Sequence, residues 1–371
     1  MEERISVAVL FGGQSSEHEV SRVSAQSVIE NIDKDKYDVH MIGITKAGEW
    51  LRFEGDIKLI GTGEWEAAAR AKLLAADGNS AGTAPSCSDL VSVETQDGVK
   101  KAVDVVFPVL HGPNGEDGSV QGLLQLAGVP YVGCNILASA AGMDKDFSKL
   151  VFANEGIPQA RAIKVMRQEI EGSIDVIISK INEKIGWPCF IKPANAGSSV
   201  GVSKVKKPED LKEALLQASE YDTKILIEEF IDGRELECAV LGNDNPIAST
   251  VGEVIPCNEF YDYNAKYIDG KSETIIPADI EPQIMESIRD YSVRAVKALG
   301  CSGLSRVDFF VERGTNRIIL NEINTMPGFT SISMYSKLWA ASGIPYKELV
   351  TRLIDLAVEK YEQSTRSYER K

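Results

Sequence analysis

Arg306-Val307-Asp308-Phe309-Phe310, followed by Glu312-Arg313-Gly314-Thr315-Asn316-Arg317 and then Asn321-Glu322-Ile323-Asn324-Thr325-Met326-Pro327-Gly328, is the stretch that decides how this chain folds. Side chains alternate along a strand, so Arg306 and Asp308 share one face, as do Glu322 and Asn324 of a following strand. The turn formers between them predict a hairpin. With the turn centred near Thr315, Asp308 lies opposite Glu322 and Arg306 opposite Asn324; a slip of one residue would scatter all four. Carboxylate and amide oxygens are the ligands magnesium takes, alongside water and bound phosphate. A solvated hairpin face is the plainer alternative, but Val307, Phe309, Phe310, Leu320 and Ile323 flank the acids, and buried acids need partners. The magnesium-nucleotide reading is preferred.

The 371 residues suffice for two or three packed units, and 43% hydrophobic with 26% charged residues is ordinary for a globular protein. A net charge of −15 repels phosphate backbones, and no long basic run or zinc-finger spacing occurs, which argues against nucleic acid. Cys87, Cys134, Cys189, Cys238, Cys257 and Cys301 form no CxxC pair, which favours reduced thiols in a cytoplasmic setting. The start lacks a signal-peptide core and no apolar run is long enough to span a bilayer, so no membrane association is expected.

From the N-terminus, Ile5 to Phe11 reads as a buried strand. Gly12 to Glu17 reads as a loop, and Val20, Val23, Val28 and Ile32 have helical spacing. Tyr37 to Ile44 is a further strand. This order predicts a parallel sheet with a ligand near the carboxyl end of the first strand. Residues 62 to 101, with a helix at Glu64 to Ala76 and a Gly/Ser/Ala/Pro loop, read as an insertion. Val103 to Leu110 opens into His111-Gly-Pro-Asn-Gly-Glu116-Asp-Gly118, and the next helix stops at Gly128. A second unit begins near Gly133, with a helix at Asp146 to Asn154 and strands at Arg161 to Val165, Pro188 to Lys192 and Val200 to Val205. Pro208 starts a helix. Ile225 to Glu228 and Leu236 to Leu241 open a third unit, which ends in an amphipathic helix, Tyr346 to Tyr361.

Four residues beyond Lys192, the loop Ala196-Gly197-Ser198-Ser199-Val200-Gly201 offers backbone N–H groups and hydroxyls to phosphate, without being a Walker A loop. It is equally a tight hairpin turn with a snorkelling lysine. The same residues fit G-x-S-x-G, but all three histidines precede Ser199 and a strand follows it, which weighs against a serine hydrolase. Ile225 to Glu235 is either an adenine-ribose edge or a strand with a solvated end. Cys257 to Ser272, containing Lys266 and Tyr267, has the length of a lid or of an ordinary surface loop. Met143-Asp144-Lys145 could be a plain helix start capped by Asp144.

Taken together, Gly13 to Ser21, His111 to Gly118, Met143 to Lys145, Lys192 to Gly201, Lys266-Tyr267, Arg306 to Asp308 and Asn321 to Ser333 resemble the D-alanine:D-alanine ligase family of the ATP-grasp superfamily. The likeness spans nearly the whole chain in family order. It implies an α/β fold, α+β in the nucleotide-binding half: three ATP-grasp domains, the first Rossmann-like with a parallel sheet. The expected units are 1–133 (insertion about 62–101), 134–228 as a central unit, and 229–371 with a lid loop at 257–272.

By resemblance, Lys145 and Lys192 would hold ATP phosphates, Glu228 and Ile231 the adenine region and Glu235 the ribose, with Ser199, Glu229 and Lys266 also on the nucleotide. Asp308, Glu322 and Asn324 would ligate two magnesium ions, or manganese in their place. Glu17 would take the ammonium of a first D-alanine in a subsite lined by Val20 and His111. Ser198 and Tyr267 would bond toward Glu17, and Arg306 and the Gly328 N–H would face the reacting carboxylate. Ser333 and Met334 would meet the second D-amino acid. Tyr267, where lactate-using relatives tend to carry histidine, implies a dipeptide product. Ile332 and Met334 leave D-alanine and D-serine both open, since an apolar pocket rejects one hydroxyl poorly. The family also implies a homodimer. The rival readings are a ligase for another acid and amine, a serine hydrolase acting through Ser199, and a noncatalytic binder.

Overall fold

The computed structural model describes residues 4–76, 92–94, 100–255, 273–330 and 332–364. The strands in chain order are β1 (Ile5–Gly12), β2 (Tyr37–Ile44), β3 (Trp50–Phe53), β4 (Ser92–Glu94), β5 (Lys100–Ala102), β6 (Val105–Pro108), β7 (Ala162–Met166), β8 (Cys189–Pro193), β9 (Ser203–Val205), β10 (Lys224–Glu229), β11 (Gly233–Gly242), β12 (Ile247–Ile255), β13 (Glu273–Ile275), β14 (Gly303–Glu312) and β15 (Ile318–Asn324). Three larger sheets result, ordered β3-β2-β1-β6, β7-β10-β8-β9 and β13-β12-β11-β14-β15.

In the first sheet β1 runs parallel to β2 and β6, and β3 joins the edge antiparallel to β2. Val7 to Phe11 are wholly buried, as a strand covered on both faces requires. Gly12 must be glycine: its φ is +90°, and a Cβ there would stand 2.2 Å from the Ile44 carbonyl oxygen. The turn delivers the chain into helix His18–Asn31 at the carboxyl end of β1, the position that parallel sheets reserve for ligands. Val23 departs from the expected core stripe and is 47% exposed. Ser21 and Ser24 are buried instead because their hydroxyls are used: Ser21 binds the Val109 carbonyl and Gly12 N–H, and Ser24 binds His111.

The second sheet is antiparallel, and β10 is one of its two interior strands, paired with β7 and β8. This corrects the expectation that Ile225 to Glu228 opens the third unit. Ser203–Val205 pairs antiparallel with β8, so the glycine-serine loop joins two strands of a hairpin. The strand-elbow-helix of a serine hydrolase is therefore not formed there.

The third sheet is antiparallel and buried on both faces. On one face the helix Pro282–Leu299 places Ile288, Ala295, Val296 and Leu299 against Leu236, Val251 and Phe309. Sequence reading overlooked this helix, although Pro282 at its start and left-handed Gly300 at its end are standard signals. The same core takes in Ala138, Ala141 and Phe152 from helices Ile136–Met143 and Lys145–Asn154. On the other face, helices Met334–Ala341 and Tyr346–Gln363 put Tyr335, Leu338, Trp339 and Leu353 into a core shared with Val7, Val9 and Phe11 of the first sheet. Each such side chain contributes about 1.5–3 kcal/mol, so the shared core fixes the first and third sheets relative to one another. Among the described residues no helix is long and apolar enough to cross a membrane.

Candidate active site

The β14–β15 register is the one expected: Arg306 lies opposite Asn324 and Asp308 opposite Glu322. Immediately beyond, Phe309 faces Leu320, so Asn321 is an extra residue on β15. A bulge of this kind re-aims the side chains around it. Asn321 thereby reaches Lys192, whose Nζ donates to Oδ1 at 3.5 Å, while Glu322 Oε2 stands 3.5 Å from the Nζ of Lys145. The hairpin thus meets both lysines that the sequence singled out.

Asp308 is 3% exposed and its charge is fully engaged. Arg306 donates to both of its oxygens at 2.7 Å, and the Asn324 amide adds a bond of 2.9 Å. Asp308, Glu322 and Asn324 present only oxygen ligands on one sheet face, which suits a hard divalent cation. Among the described residues no three His, Cys, Asp or Glu side chains form a ligand cluster.

Helix Lys145–Asn154 begins as its sequence suggests, with Asp144 accepting from the N–H groups of Asp146 and Phe147. Lys145 turns inward and donates to the Ala196 carbonyl at 2.8 Å. Lys192, on β8, pairs at 2.5 Å with Glu228 across the sheet, and Lys149 pairs with the same carboxylate at 3.0 Å. Burial pushes the Glu228 carboxyl upward, but the charges of Lys192 and Lys149 prevail and hold it below the usual carboxylate range. Glu229 points to the opposite face, where Arg161 takes both its oxygens, so it does not join Glu228. Ile231 is buried two residues beyond the end of β10, and Glu235 lies on β11 opposite Phe310 and Val254.

The loop after β8 holds Ser198 and Ser199 at φ of 49° and 58°, a left-handed conformation costly for residues with a Cβ. The result of that strain is visible: the Ser198 hydroxyl donates to Glu17 Oε1, joining the second sheet to the first. Glu17 is 5% exposed, and its other oxygen, Oε2, is buried without a hydrogen-bond partner. That oxygen sits in a glycine cradle, since a Cβ on either Gly112 or Gly197 would come within 2.6 Å of it. A buried acceptor of this kind is prepared for a cationic donor.

His111 is buried between the Met326 carbonyl, 3.1 Å from Nδ1, and Ser24 Oγ, 3.1 Å from Nε2. The carbonyl can only accept, so Nδ1 carries the proton and Nε2 accepts from serine. Burial depresses the imidazole, against the pull of nearby Glu17, and keeps it neutral. Glu116 binds the Gly112 N–H at 2.7 Å, and burial together with the Glu17 charge pushes its carboxyl up to about 8.

Glu17, Val20, His111, Lys145, Ser198, Arg306, Glu322, Asn324, Gly328, Ser333 and Met334 line one cavity of about 580 Å³. Lys192, Glu228 and Asp308 are not among the residues that line it. Ser333 stands at the start of helix Met334–Ala341, its hydroxyl held by Thr330 instead of capping the helix. Lys266 and Tyr267 lie outside the described residues, with the whole 257–272 segment. Sequence reasoning missed Glu116, Lys149, Glu237 and Asn321. Glu237 had a signal: an isolated acid within the apolar run Leu236 to Leu241.

Sequence profiles of the D-ala D-ala ligase N-terminus and C-terminus match residues 6–134 and 151–355. The D-alanine--D-alanine ligase of Ruminiclostridium cellulolyticum is 56% identical over 98% of this chain and 97% of its own. That of Acetivibrio thermocellus is 56% identical over the full length of both. Among solved structures, the VanG D-Ala:D-Ser ligase of Enterococcus faecalis superposes with a TM-score of 0.81 at 37% identity, covering 96% of this chain and 100% of that one. The D-alanine-D-alanine ligase of Coxiella burnetii follows with 0.79 at 34% identity, over 97% and 96%.

Proposed function

Because the chain belongs to the D-alanine–D-alanine ligase family, we propose that it joins two molecules of D-alanine at the expense of ATP, through a D-alanyl phosphate, for peptidoglycan precursors. The observation that carries the reading is the cavity lined together by Glu17 at the head of the first helix, Lys145 at the start of a helix, Ser198 of the loop after β8, and Arg306 and Glu322 of the third sheet. It pairs an ammonium acceptor with cations and metal-binding oxygens within reach of small substrates.

In this reading the first D-alanine places its ammonium on Glu17 Oε2, with Val20 and neutral His111 beside it. Its carboxylate, directed by Arg306 and the Gly328 N–H, attacks the γ-phosphorus of ATP. The amine of the second D-alanine, its carboxylate at Ser333 and the N-terminus of the following helix, then attacks the activated carbonyl and phosphate leaves. Lys145 and Lys192 offset phosphate charge, and magnesium held by Asp308, Glu322 and Asn324 would supply further counter-charge to the phosphate oxygens. The oxygen-only donor set supports a hard cation, magnesium or manganese, and two ions are assigned from the family resemblance. Alignment of two small reactants contributes on the order of 7–11 kcal/mol. Adenine is assigned to the Glu228–Ile231 region and ribose to Glu235. Tyr267 and its loop are assigned the exclusion of water, which would hydrolyse the acyl phosphate.

We assign three units, 1–133, 134–228 and 229–371, acting as a homodimer in the cytoplasm; scattered cysteines without a CxxC pair support the last point. D-Alanine is preferred to D-serine as acceptor because the 56% identical relatives bear the D-alanine--D-alanine ligase name. Mass spectrometry of products from an equal D-alanine and D-serine mixture tests it. D-Alanyl-D-alanine should dominate, and a majority of D-alanyl-D-serine would overturn the acceptor assignment.

A further inference from the structure

Arg306 is claimed by two buried carboxylates. Its Nε donates to Asp308 Oδ1 at 2.7 Å, yet Glu237 Oε2 lies 2.9 Å from the same nitrogen. The two acids stand directly opposite one another on β14 and β11, and both are 3% exposed. One N–H thus faces two acceptors on neighbouring strands. Arg306 and Glu237 line the cavity.

This arrangement bears on a conflict within the site, and it rests on the ligase reading. Asp308 is bonded to Arg306 through both oxygens, and the same oxygens are those a divalent cation would take. A buried guanidinium displaced from one carboxylate is strongly disfavoured unless another receives it. We propose that Glu237 is a positioning residue for Arg306: it receives the guanidinium when Asp308 turns to a cation, and keeps it aimed into the cavity. A short rotation of Arg306 then exchanges one carboxylate for the other, and neither charge is stranded.

The test measures Mn2+ binding by electron paramagnetic resonance in the presence of β,γ-methylene-ATP, with no turnover required. Glu237→Gln should weaken Mn2+ binding at least tenfold, because a neutral amide competes for the guanidinium less well than a carboxylate and Arg306 stays on Asp308. Glu237→Asp, which keeps the charge, should recover most of that loss. Simple attraction between Glu237 and the cation is separated by the double variant: in an Arg306→Gln background, Glu237→Gln should have almost no further effect. An equal tenfold loss in that background, or unchanged Mn2+ binding in Glu237→Gln itself, would overturn the proposal. Failure of the unaltered protein to bind Mn2+ with nucleotide would instead strike the metal assignment beneath it.

Discussion

Gly197→Ala would test the substrate cradle with a single methyl group. The new Cβ would stand 2.6 Å from Glu17 Oε2, where ordinary contact begins near 3.4 Å. The carboxylate must therefore retreat by roughly 0.8 Å. Gly112 borders the same oxygen, since a Cβ there would also come within 2.6 Å of it. The movement has to come at the expense of the Ser198 bond and of the acceptor position offered to the ammonium. One charge-assisted hydrogen bond is worth about 1.5–3 kcal/mol, which converts to roughly a 10- to 150-fold loss in affinity. Steady-state kinetics with coupled ADP detection should show KM for the first D-alanine rising by that factor, with KM for ATP within twofold of normal. A D-alanine KM unchanged within twofold would refute the assignment of Glu17 as the ammonium acceptor.

Lys192→Met should raise KM for ATP strongly and also weaken the fold, because Glu228 keeps only Lys149; a loss of about 1–3 kcal/mol is expected in urea unfolding. Since the folded Glu228 carboxyl titrates below its ordinary value of 4.5, its stabilising contribution is present above that pH and is lost as pH falls through the depressed value. The variant should therefore acid-unfold at a higher pH than the parent, and coincident acid transitions would contradict the pairing. Glu116 has the opposite sign. It keeps its proton in the fold up to about 8 while the unfolded chain loses it near 4.5, so stability declines as pH rises between those values. Glu116→Gln should flatten that decline in thermal melts, and an unaltered pH slope would count against it. Glu322→Ala should abolish turnover with circular dichroism preserved; retained activity would remove Glu322 from the metal set.

The hairpin was legible because its determinants are local: turn formers set the register, and a two-residue period sets the faces. What was not legible depends on chain distant in sequence or on departures from ideal geometry. The bulge at Asn321 cannot be read from propensity, yet it turns that side chain to Lys192. Nothing local showed that β10 lies between β7 and β8, nor that Lys149 would share Glu228 with Lys192. The strand alternation that places Glu228 inward sends Glu229 to Arg161, a distinction available in principle once the strand was drawn. The left-handed Ser198 and Ser199 sit where sequence alone would have called for glycine.

The central claim is that this cavity activates a carboxylate by phosphorylation, and it is tested most directly with D-alanine labelled with oxygen-18 in its carboxyl group. Transfer of the γ-phosphoryl group to that carboxylate predicts one labelled oxygen in each inorganic phosphate released, in equal amount with ADP and dipeptide. Dipeptide formed with wholly unlabelled phosphate, or ADP released without dipeptide, would contradict the account.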